Sequence, residues 1–138
     1  ETVANEKQIR IRNNCQEKVT VYADMNMIET VIRNLISNSI KFTNTGGQIV
    51  IDIKNSNQNV EVNVSDNGVG IKEEDMKRLF KIDERLTTQG TQNEKGTGLG
   101  LILCKDFIEK NSGQIWVESK YGEGTTFKFL LPAQANNN

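Results

Sequence analysis

The sequence predicts an α+β domain, a two-layer sandwich in which a mixed, mostly antiparallel sheet of about five strands carries three helices on one face. Two observations predict this class. The apparent order of elements is β-β-α-β-β-α-loop-α-β-β, without the regular alternation of a parallel sheet. The length of 138 residues, 36% hydrophobic and 25% charged, suits one modest core. We place a single domain at 1–132, with 1–7 as a linker remnant, and expect 133–138 to be disordered.

Each predicted element follows from a local pattern. Apolar and polar residues alternate over 8–13 and 18–23, which favours two short strands. Asp24 is a good N-cap for a long helix whose apolar residues recur at helical spacing, and which should end near "FTNTGG" (42–47), where Gly46 and Gly47 supply the stop. The remaining predictions are a hairpin from 47–55 and 60–67, a short acidic helix at 72–80, a helix at 99–111, and a closing hairpin from 114–120 and 125–132.

Composition excludes several functions. The net charge of -1 comes from interspersed acids and bases, so we expect no nucleic-acid partner. No apolar run approaches the roughly 18 residues that cross a bilayer, so we expect no membrane contact by this segment. We also expect a cytoplasmic location, whether or not the parent protein is a membrane-bound sensor. Cys15 and Cys104 are expected to be free thiols in a reducing compartment. The absence of histidine excludes histidine acid/base chemistry within the chain and weighs against zinc.

The long helix carries a polar line beside its apolar stripe. Asn34, Asn38 and Lys41 fall within about 60° of arc at 100° per residue. Amide oxygen is a ligand that Mg²⁺ accepts, and an ammonium can hold phosphate. The alternative is an ordinary solvated helix face.

The segment "SDNGVGI" (65–71) follows a predicted strand. Asp66 at the strand end could accept a hydrogen bond from an exocyclic amine, while Gly68 and Gly70 would let a flat base approach the backbone. The alternative is a simple turn, since Asp-Asn-Gly is common in turns.

The segment "NEKGTGLGL" (93–101) has glycines at alternate positions, Gly96, Gly98 and Gly100. A dinucleotide fingerprint needs G-x-G-x-x-G, but position 101 is Leu; a Walker loop needs Gly-Lys-Ser/Thr, which is absent here. A glycine-rich segment entering a helix exposes unpaired N–H groups to an anion. The choice is therefore between a phosphate site and a tight structural connection. The polar stretch 81–97 before the helix, which we call the lid, has the length and composition of a functional loop.

Together, "NLISNSIKFT", "SDNGVGI", the lid, "KGTGLGL" and "YGEGTTF" resemble, in this order, the boxes of the ATP-binding catalytic domain of sensor histidine kinases. The resemblance runs from about Asp24 to Leu131. It implies the Bergerat fold, also seen in gyrase-type ATPases and chaperones of the Hsp90 class, and the cofactors ATP and Mg²⁺.

Residue roles are implied by this resemblance. Asn38 matches the Mg²⁺ ligand, Asn34 and Lys41 lie near the triphosphate, Phe42 borders the adenine and Asp66 recognises its amine. The other implied nucleotide-binding residues are Gly68, Gly70, Ile71, Phe80, Gly96, Thr97, Gly98, Leu99, Gly100, Leu101 and Thr125.

Two departures from the family pattern bear on the reaction. Three residues after Phe80 stands Asp83 instead of a second aromatic, so Lys81, Arg85 and Lys95 are all candidates for the γ-phosphate contact. We assign catalysis to Asn34 and Lys41 with Arg85. The family transfers phosphate to a histidine, which this chain lacks, so we expect a longer parent whose dimerisation hairpin bears the acceptor and a response regulator downstream.

Asn34 also bears on the choice of reaction. In the ATPase relatives a glutamate at the matching position activates water, and an amide cannot take up a proton. Phosphoryl transfer, which needs mainly positioning and charge neutralisation, is therefore favoured over hydrolysis. The alternatives are a transfer-incompetent nucleotide sensor or scaffold, and a serine kinase of the same superfamily that phosphorylates a small protein.

Overall fold

The chain folds into one sheet with helices packed against it. The computed structural model describes residues 8–14, 20–76, 79–80 and 99–133. Its strands are β1 (Arg10–Asn13), β2 (Gln48–Ser56), β3 (Asn59–Asp66), β4 (Gln114–Lys120) and β5 (Gly124–Pro132). Its helices, within the described residues, are α1 (Met25–Phe42), α2 (Glu73–Met76) and α3 (Leu99–Lys110). The predicted α+β class is confirmed.

The sheet is mixed, as the sequence predicts. Its strand order is β1-β2-β3-β5-β4, in which β1 runs parallel to β2 and the other pairs are antiparallel. Both predicted hairpins are present, because alternating strands flank tight turns at Asn57 and Gly122, each with a positive φ.

The core lies on one face of the sheet. Val62 of β3 pairs with Phe129 of β5, and Val64 pairs with Phe127, and all four side chains are buried. Lys128, on the opposite face, forms an ion pair with Glu118 of β4 instead. Since strand side chains alternate between faces, the helices cover the apolar face only. The helical side of this core consists of Ile28, Val31, Leu35, Ile40, Leu101, Cys104 and Ile108.

One asparagine joins the two long helices. Asp24 caps α1 by accepting a hydrogen bond from the Met27 N–H at 3.1 Å. The Asp24 N–H itself donates to Asn111 Oδ1 at 2.8 Å, and Asn111 Nδ2 donates to the Phe107 carbonyl at 2.7 Å. The start of α1 is thereby fixed to the end of α3.

The structure corrects three sequence predictions. Residues 20–23 of the predicted 18–23 strand form no strand; Val21 and Ala23 pack against the core, and the Tyr22 N–H donates to the Pro132 carbonyl at 2.8 Å. An alternating pattern arises in any segment that has one side against the core, whether or not a neighbouring strand pairs with it.

Ala133, expected in the disordered tail, is partly buried, and its N–H donates to the Gln58 carbonyl at 2.9 Å.

The third correction concerns the end of α1. The helix ends at Phe42, within the predicted region, but Thr43 ends it instead of the two glycines, because Thr43 adopts an extended conformation with φ -99° and ψ 135°. The Thr43 hydroxyl donates to the Ser39 carbonyl at 2.6 Å, which satisfies one of the last carbonyls of the helix. Gly46, with φ +83°, forms part of the turn that follows.

Cys104 is a free thiol, as expected, and it is buried between α1 and α3. Burial raises its pKa to about 12, and the thiol donates to the Val31 carbonyl at 3.7 Å. Cys15 lies outside the described residues. None of the helices in the described part of the chain has the length and apolarity needed to span a bilayer.

Replacing Asn111 with alanine should lower the free energy of unfolding by about 1–2 kcal/mol, because it leaves the Asp24 N–H and the Phe107 carbonyl without their partner. Urea denaturation measures this. Asn55→Ala, at an exposed position of β2, is the matched control and should change stability by less than about 0.5 kcal/mol. Equal effects of the two substitutions would show that the link between α1 and α3 contributes nothing.

Candidate functional site

The predicted polar line lies on α1, beside the buried stripe of the same helix. Asn34, Asn38 and Lys41 are all partly buried, and α1 is continuous through them, so they share one side of the helix. The Lys41 ammonium lies 4.9 Å from the centroid of the Phe42 ring. Amide and ammonium groups thus line one wall of the candidate site.

The first turn of α3 closes one end of this wall. Asn34 Nδ2 donates to the Thr30 carbonyl at 2.9 Å, which fixes the amide plane. The Asn34 Oδ1 then faces Gly100, where an added Cβ would lie only 3.3 Å from it. The structure therefore brings together two residues that the sequence assigned to separate motifs.

The loop after β3 closes the other end. The Asp66 Oδ1 accepts a hydrogen bond from the Gly68 N–H at 2.9 Å, and the Val69 N–H donates to the Phe42 carbonyl at 3.0 Å. A Cβ at Gly68 would collide with that same carbonyl. The loop can bind the end of α1 because residue 68 has no side chain.

The second half of this loop is held by the β4–β5 turn. Gly70 has φ +76°, and a Cβ there would collide with the Lys120 carbonyl. The Gly122 N–H donates to the Val69 carbonyl at 2.7 Å, and the Ile71 N–H donates to Ser119 Oγ at 2.8 Å. The space at both loop glycines is thus used by protein backbone, and a contact between these glycines and a base stays a prediction.

Asp66 lies in an unusual electrostatic environment. Desolvation by burial raises the pKa of its carboxyl, and this effect is partly offset by the Gly68 N–H, the Ser39 hydroxyl and the Thr125 N–H. Thr125 is buried and lies opposite Asp66 across the β3–β5 pair. A ligand amine that donates to the Asp66 carboxylate would displace little water, because the carboxylate is largely buried.

These two ends give the site a direction. Asn34, beside α3, and Phe42, whose carbonyl binds the loop after β3, are eight residues apart on α1, about 12 Å at 1.5 Å per residue. The N-terminus of α3 carries the positive end of the helix dipole and favours an anion at the Asn34 end. The arrangement suits a ligand with an amine donor at one end and negative charge at the other.

Other predicted site residues lie at the margins or outside the described residues. Leu101 is buried and Phe80 packs partly buried against the core, so both help to anchor the elements that carry the site. Leu99 is the first residue of α3. Arg85, Gly96, Thr97 and Gly98 lie outside the described residues, as do Lys81 and Lys95.

Ser39 was missed by the sequence analysis. It is 1% exposed and lies in the buried stripe of α1, four residues after Leu35. The missed signal was therefore a polar residue in the apolar register of a helix.

Comparison with known proteins shows which family the chain is similar to. The family model described as histidine kinase-, DNA gyrase B- and HSP90-like ATPase matches residues 23–135. The adaptive-response sensory kinase SasA of Crocosphaera subtropica is 44% identical over 129 residues, which cover 92% of this chain. The catalytic domain of histidine kinase ThkA, in a nucleotide-free form, superposes with a TM-score of 0.78 at 32% identity and covers 94% of this chain and 82% of its own.

The chain belongs to this ATPase family. The structure of ThkA in complex with the response regulator TrrA also matches this domain, with a TM-score of 0.75 at 28% identity, over 95% of this chain and 36% of that one. The domain spans about a third of the length of the curated relatives that it matches, 33% in the Crocosphaera kinase.

The contact between Gly100 and Asn34 can be tested in this catalytic domain. Gly100→Ala places a Cβ 3.3 Å from Asn34 Oδ1, so the amide must move by a few tenths of an ångström. Affinity for ATP should fall about threefold to tenfold, since small misplacements at a site weaken it steeply. Thermal stability should hold or rise, because alanine is favoured over glycine in a helix by up to about 1 kcal/mol.

The control is the same substitution in an Asn34→Ala background, where no amide remains to be displaced. There Gly100→Ala should cause no further loss of ATP affinity. An equal loss in both backgrounds would mean that Gly100 acts on the site by another route.

Asp66→Asn should stabilise the unliganded domain at neutral pH. The folded state raises the pKa of Asp66, so the native protein holds this proton more tightly than the unfolded chain, and stability declines as pH rises through the raised value. The neutral amide avoids that loss, and its advantage should disappear below the ordinary carboxyl value of 3.8. Thermal melts from pH 3 to 8 measure the difference; a uniform offset across this range would contradict the assignment.

Proposed function

We propose that this catalytic domain binds Mg-ATP along α1, with the adenine at Asp66 and the phosphates toward α3, and presents the γ-phosphate to a histidine on a separate dimerisation hairpin. The observation that carries the proposal is the polarity of the site. A carboxylate at one end can accept from the adenine amine, while a helix N-terminus at the other attracts the phosphates.

The residues present suit the implied metal. Asn38 lies between the two ends of the site and offers an amide oxygen, a ligand of the hard type that Mg²⁺ takes, alongside substrate phosphates. When bound, Mg²⁺ neutralises charge on the phosphates. Lys41, one turn further along α1, adds a second positive charge on the same side.

The side chain of Asn34 favours transfer over hydrolysis. An amide cannot take a proton from water, and its Nδ2 is already engaged with the Thr30 carbonyl. In the proposed reaction the bond from the γ-phosphorus to the bridging oxygen breaks, a bond to an imidazole nitrogen forms, and ADP leaves. The acceptor must come from outside this chain, which contains no histidine.

Partners follow from the same proposal. The phosphohistidine would pass its phosphoryl group to a response regulator, the class of protein found bound to ThkA. Since ATP is the donor, a cytoplasmic site of action belongs to the proposal. The contact made by Lys81, Arg85 or Lys95 to the γ-phosphate stays a prediction.

Asn38→Ala should remove the magnesium-dependent part of ATP affinity. Calorimetry with Mg²⁺ should show binding weakened on the order of tenfold or more, about 1.4 kcal/mol, because a metal ligand is lost. With the metal chelated, variant and wild type should bind alike. Asn26→Ala, at an exposed position of the same helix, is the matched control and should behave as wild type in both conditions. Full magnesium-dependent affinity in Asn38→Ala would refute the metal assignment.

A transfer assay tests the reaction. The domain is incubated with γ-labelled ATP and the separately prepared histidine-bearing hairpin of its parent. We expect label on the hairpin that is labile to acid and stable to alkali, and none on a hairpin whose histidine is replaced by glutamine. Binding without transfer would favour a sensor or scaffold, and acid-stable label on a protein partner would favour a serine kinase.

A further inference from the structure

The hydroxyl of Ser119, on β4, contacts two other segments beside the candidate site. Its Oγ accepts a hydrogen bond from the Ile71 N–H at 2.8 Å and donates to the Gly124 carbonyl at 2.9 Å. A third hydrogen bond joins it to Thr125 Oγ1 at 2.8 Å, and the distance alone does not say which oxygen donates. Ser119 therefore links the loop after β3 to the start of β5.

The first two hydrogen bonds fix the direction of the third. A serine hydroxyl has one hydrogen to donate and can accept two hydrogen bonds. A carbonyl only accepts and an amide N–H only donates, so Ser119 gives its hydrogen to Gly124 and accepts from Ile71. It can then only accept from Thr125, which must donate its single hydrogen to Ser119. The Thr125 hydroxyl oxygen is thereby left as an acceptor for any other group.

This acceptor lies beside Asp66, in one row of the sheet. Asp66 pairs with Thr125, and Thr125 pairs with Ser119, across three neighbouring strands. The row is two residues from the buried pair Val64 and Phe127, so its side chains share the face that carries the helices. Thr125 is 5% exposed. Directly opposed residues of antiparallel strands have Cβ atoms about 5 Å apart, which places the Thr125 and Asp66 side chains next to each other.

From this geometry we infer that Ser119 is a positioning residue for base selection, because it holds the Thr125 hydroxyl as a second acceptor beside the Asp66 carboxylate. The inference rests on the proposed function, in which the adenine lies at Asp66. Two acceptor oxygens about 5 Å apart suit one amine nitrogen that donates a hydrogen to each over about 3 Å. The exocyclic amine of adenine is such a group. Hypoxanthine has a carbonyl oxygen in its place, which would meet acceptors only.

A neutron crystal structure of the unliganded domain in heavy water tests the direction of these hydrogen bonds. The deuterium between the two hydroxyl oxygens should be bonded to Thr125 Oγ1 and point to Ser119 Oγ. The deuterium of Ser119 should point to the Gly124 carbonyl. A deuterium that Ser119 donates to Thr125 overturns the inference, whether or not the domain binds ATP.

Nucleotide preference gives the functional readout. Calorimetry compares ATP with inosine triphosphate, whose base is hypoxanthine, both with Mg²⁺. Ser119→Ala should reduce the preference for ATP about threefold to tenfold, because the released Thr125 hydroxyl can turn and donate to the hypoxanthine oxygen. Ser119→Thr retains a hydroxyl and should keep the wild-type preference. An equal loss of affinity for both nucleotides in Ser119→Ala would overturn the inference in favour of a purely structural role.

The matched control is a second pair of hydroxyl groups in the same strands. Ser65 Oγ lies 2.9 Å from Thr126 Oγ1, one residue along from Asp66 and Thr125 and therefore on the opposite face of the sheet. Ser65→Ala removes the partner of a threonine hydroxyl there and should leave the preference for ATP unchanged. The same reduction in Ser65→Ala as in Ser119→Ala would overturn the inference.

Thr125→Val keeps the inference testable if Ser119→Ala folds poorly, because it removes only the threonine hydroxyl and leaves Ser119 bonded to Ile71 and Gly124. Its preference for ATP should also fall about threefold to tenfold. Adding Ser119→Ala to Thr125→Val should change the preference no further, and an equal reduction in both backgrounds would overturn the inference. A wild-type domain that binds both nucleotides equally would instead refute the adenine contact of Asp66, while the neutron structure would still decide the state of Thr125.

Discussion

The packing of α1 against the sheet governs both the core and the site. The same helix buries Val31 and Leu35 and, about a third of a turn around, presents Asn34 and Asn38. Any rotation of α1 that moved the polar line would expose the apolar stripe. The orientation of the site side chains is therefore maintained by the hydrophobic effect across the whole helix rather than by local contacts alone.

Three other elements depend on the position of α1. The loop after β3 binds its last carbonyl through Val69, the first turn of α3 rests on Asn34, and Asn111 holds its first turn. Each contact fixes one end or side of the site. The glycines at 68 and 100 matter because a residue without a side chain lets the backbone approach α1 closely. This packing role differs from the contacts with phosphate or base that glycine-rich motifs first suggest.

The site includes groups that do not favour the unliganded fold. Asp66 is ionised with difficulty because it is buried, and Ser39 holds a hydroxyl without an adequate partner. Groups that lower the stability of the unliganded protein are common at functional sites, because these groups are placed to bind a ligand.

Local sequence patterns predicted most of the fold. Alternation with turn residues gave both hairpins, and the Asp24 cap with its apolar spacing gave α1. The error at 20–23 arose because alternating burial does not reveal whether an extended segment has a strand beside it. The contact of Gly100 with Asn34 and the link through Asn111 join residues far apart in sequence, so no local pattern could predict them. Ser39 did leave a signal, a polar residue in the buried stripe of α1.

The central claim is the direction in which the nucleotide lies along α1. A crystal structure of the domain with Mg²⁺ and a non-hydrolysable ATP analogue tests it most directly. The adenine amine should lie about 3 Å from an Asp66 carboxylate oxygen, the Asn38 side-chain oxygen should coordinate the metal, and the phosphates should point to the N-terminus of α3. A nucleotide bound with its base at Asn34 and its phosphates at Asp66, or bound away from α1, would contradict it.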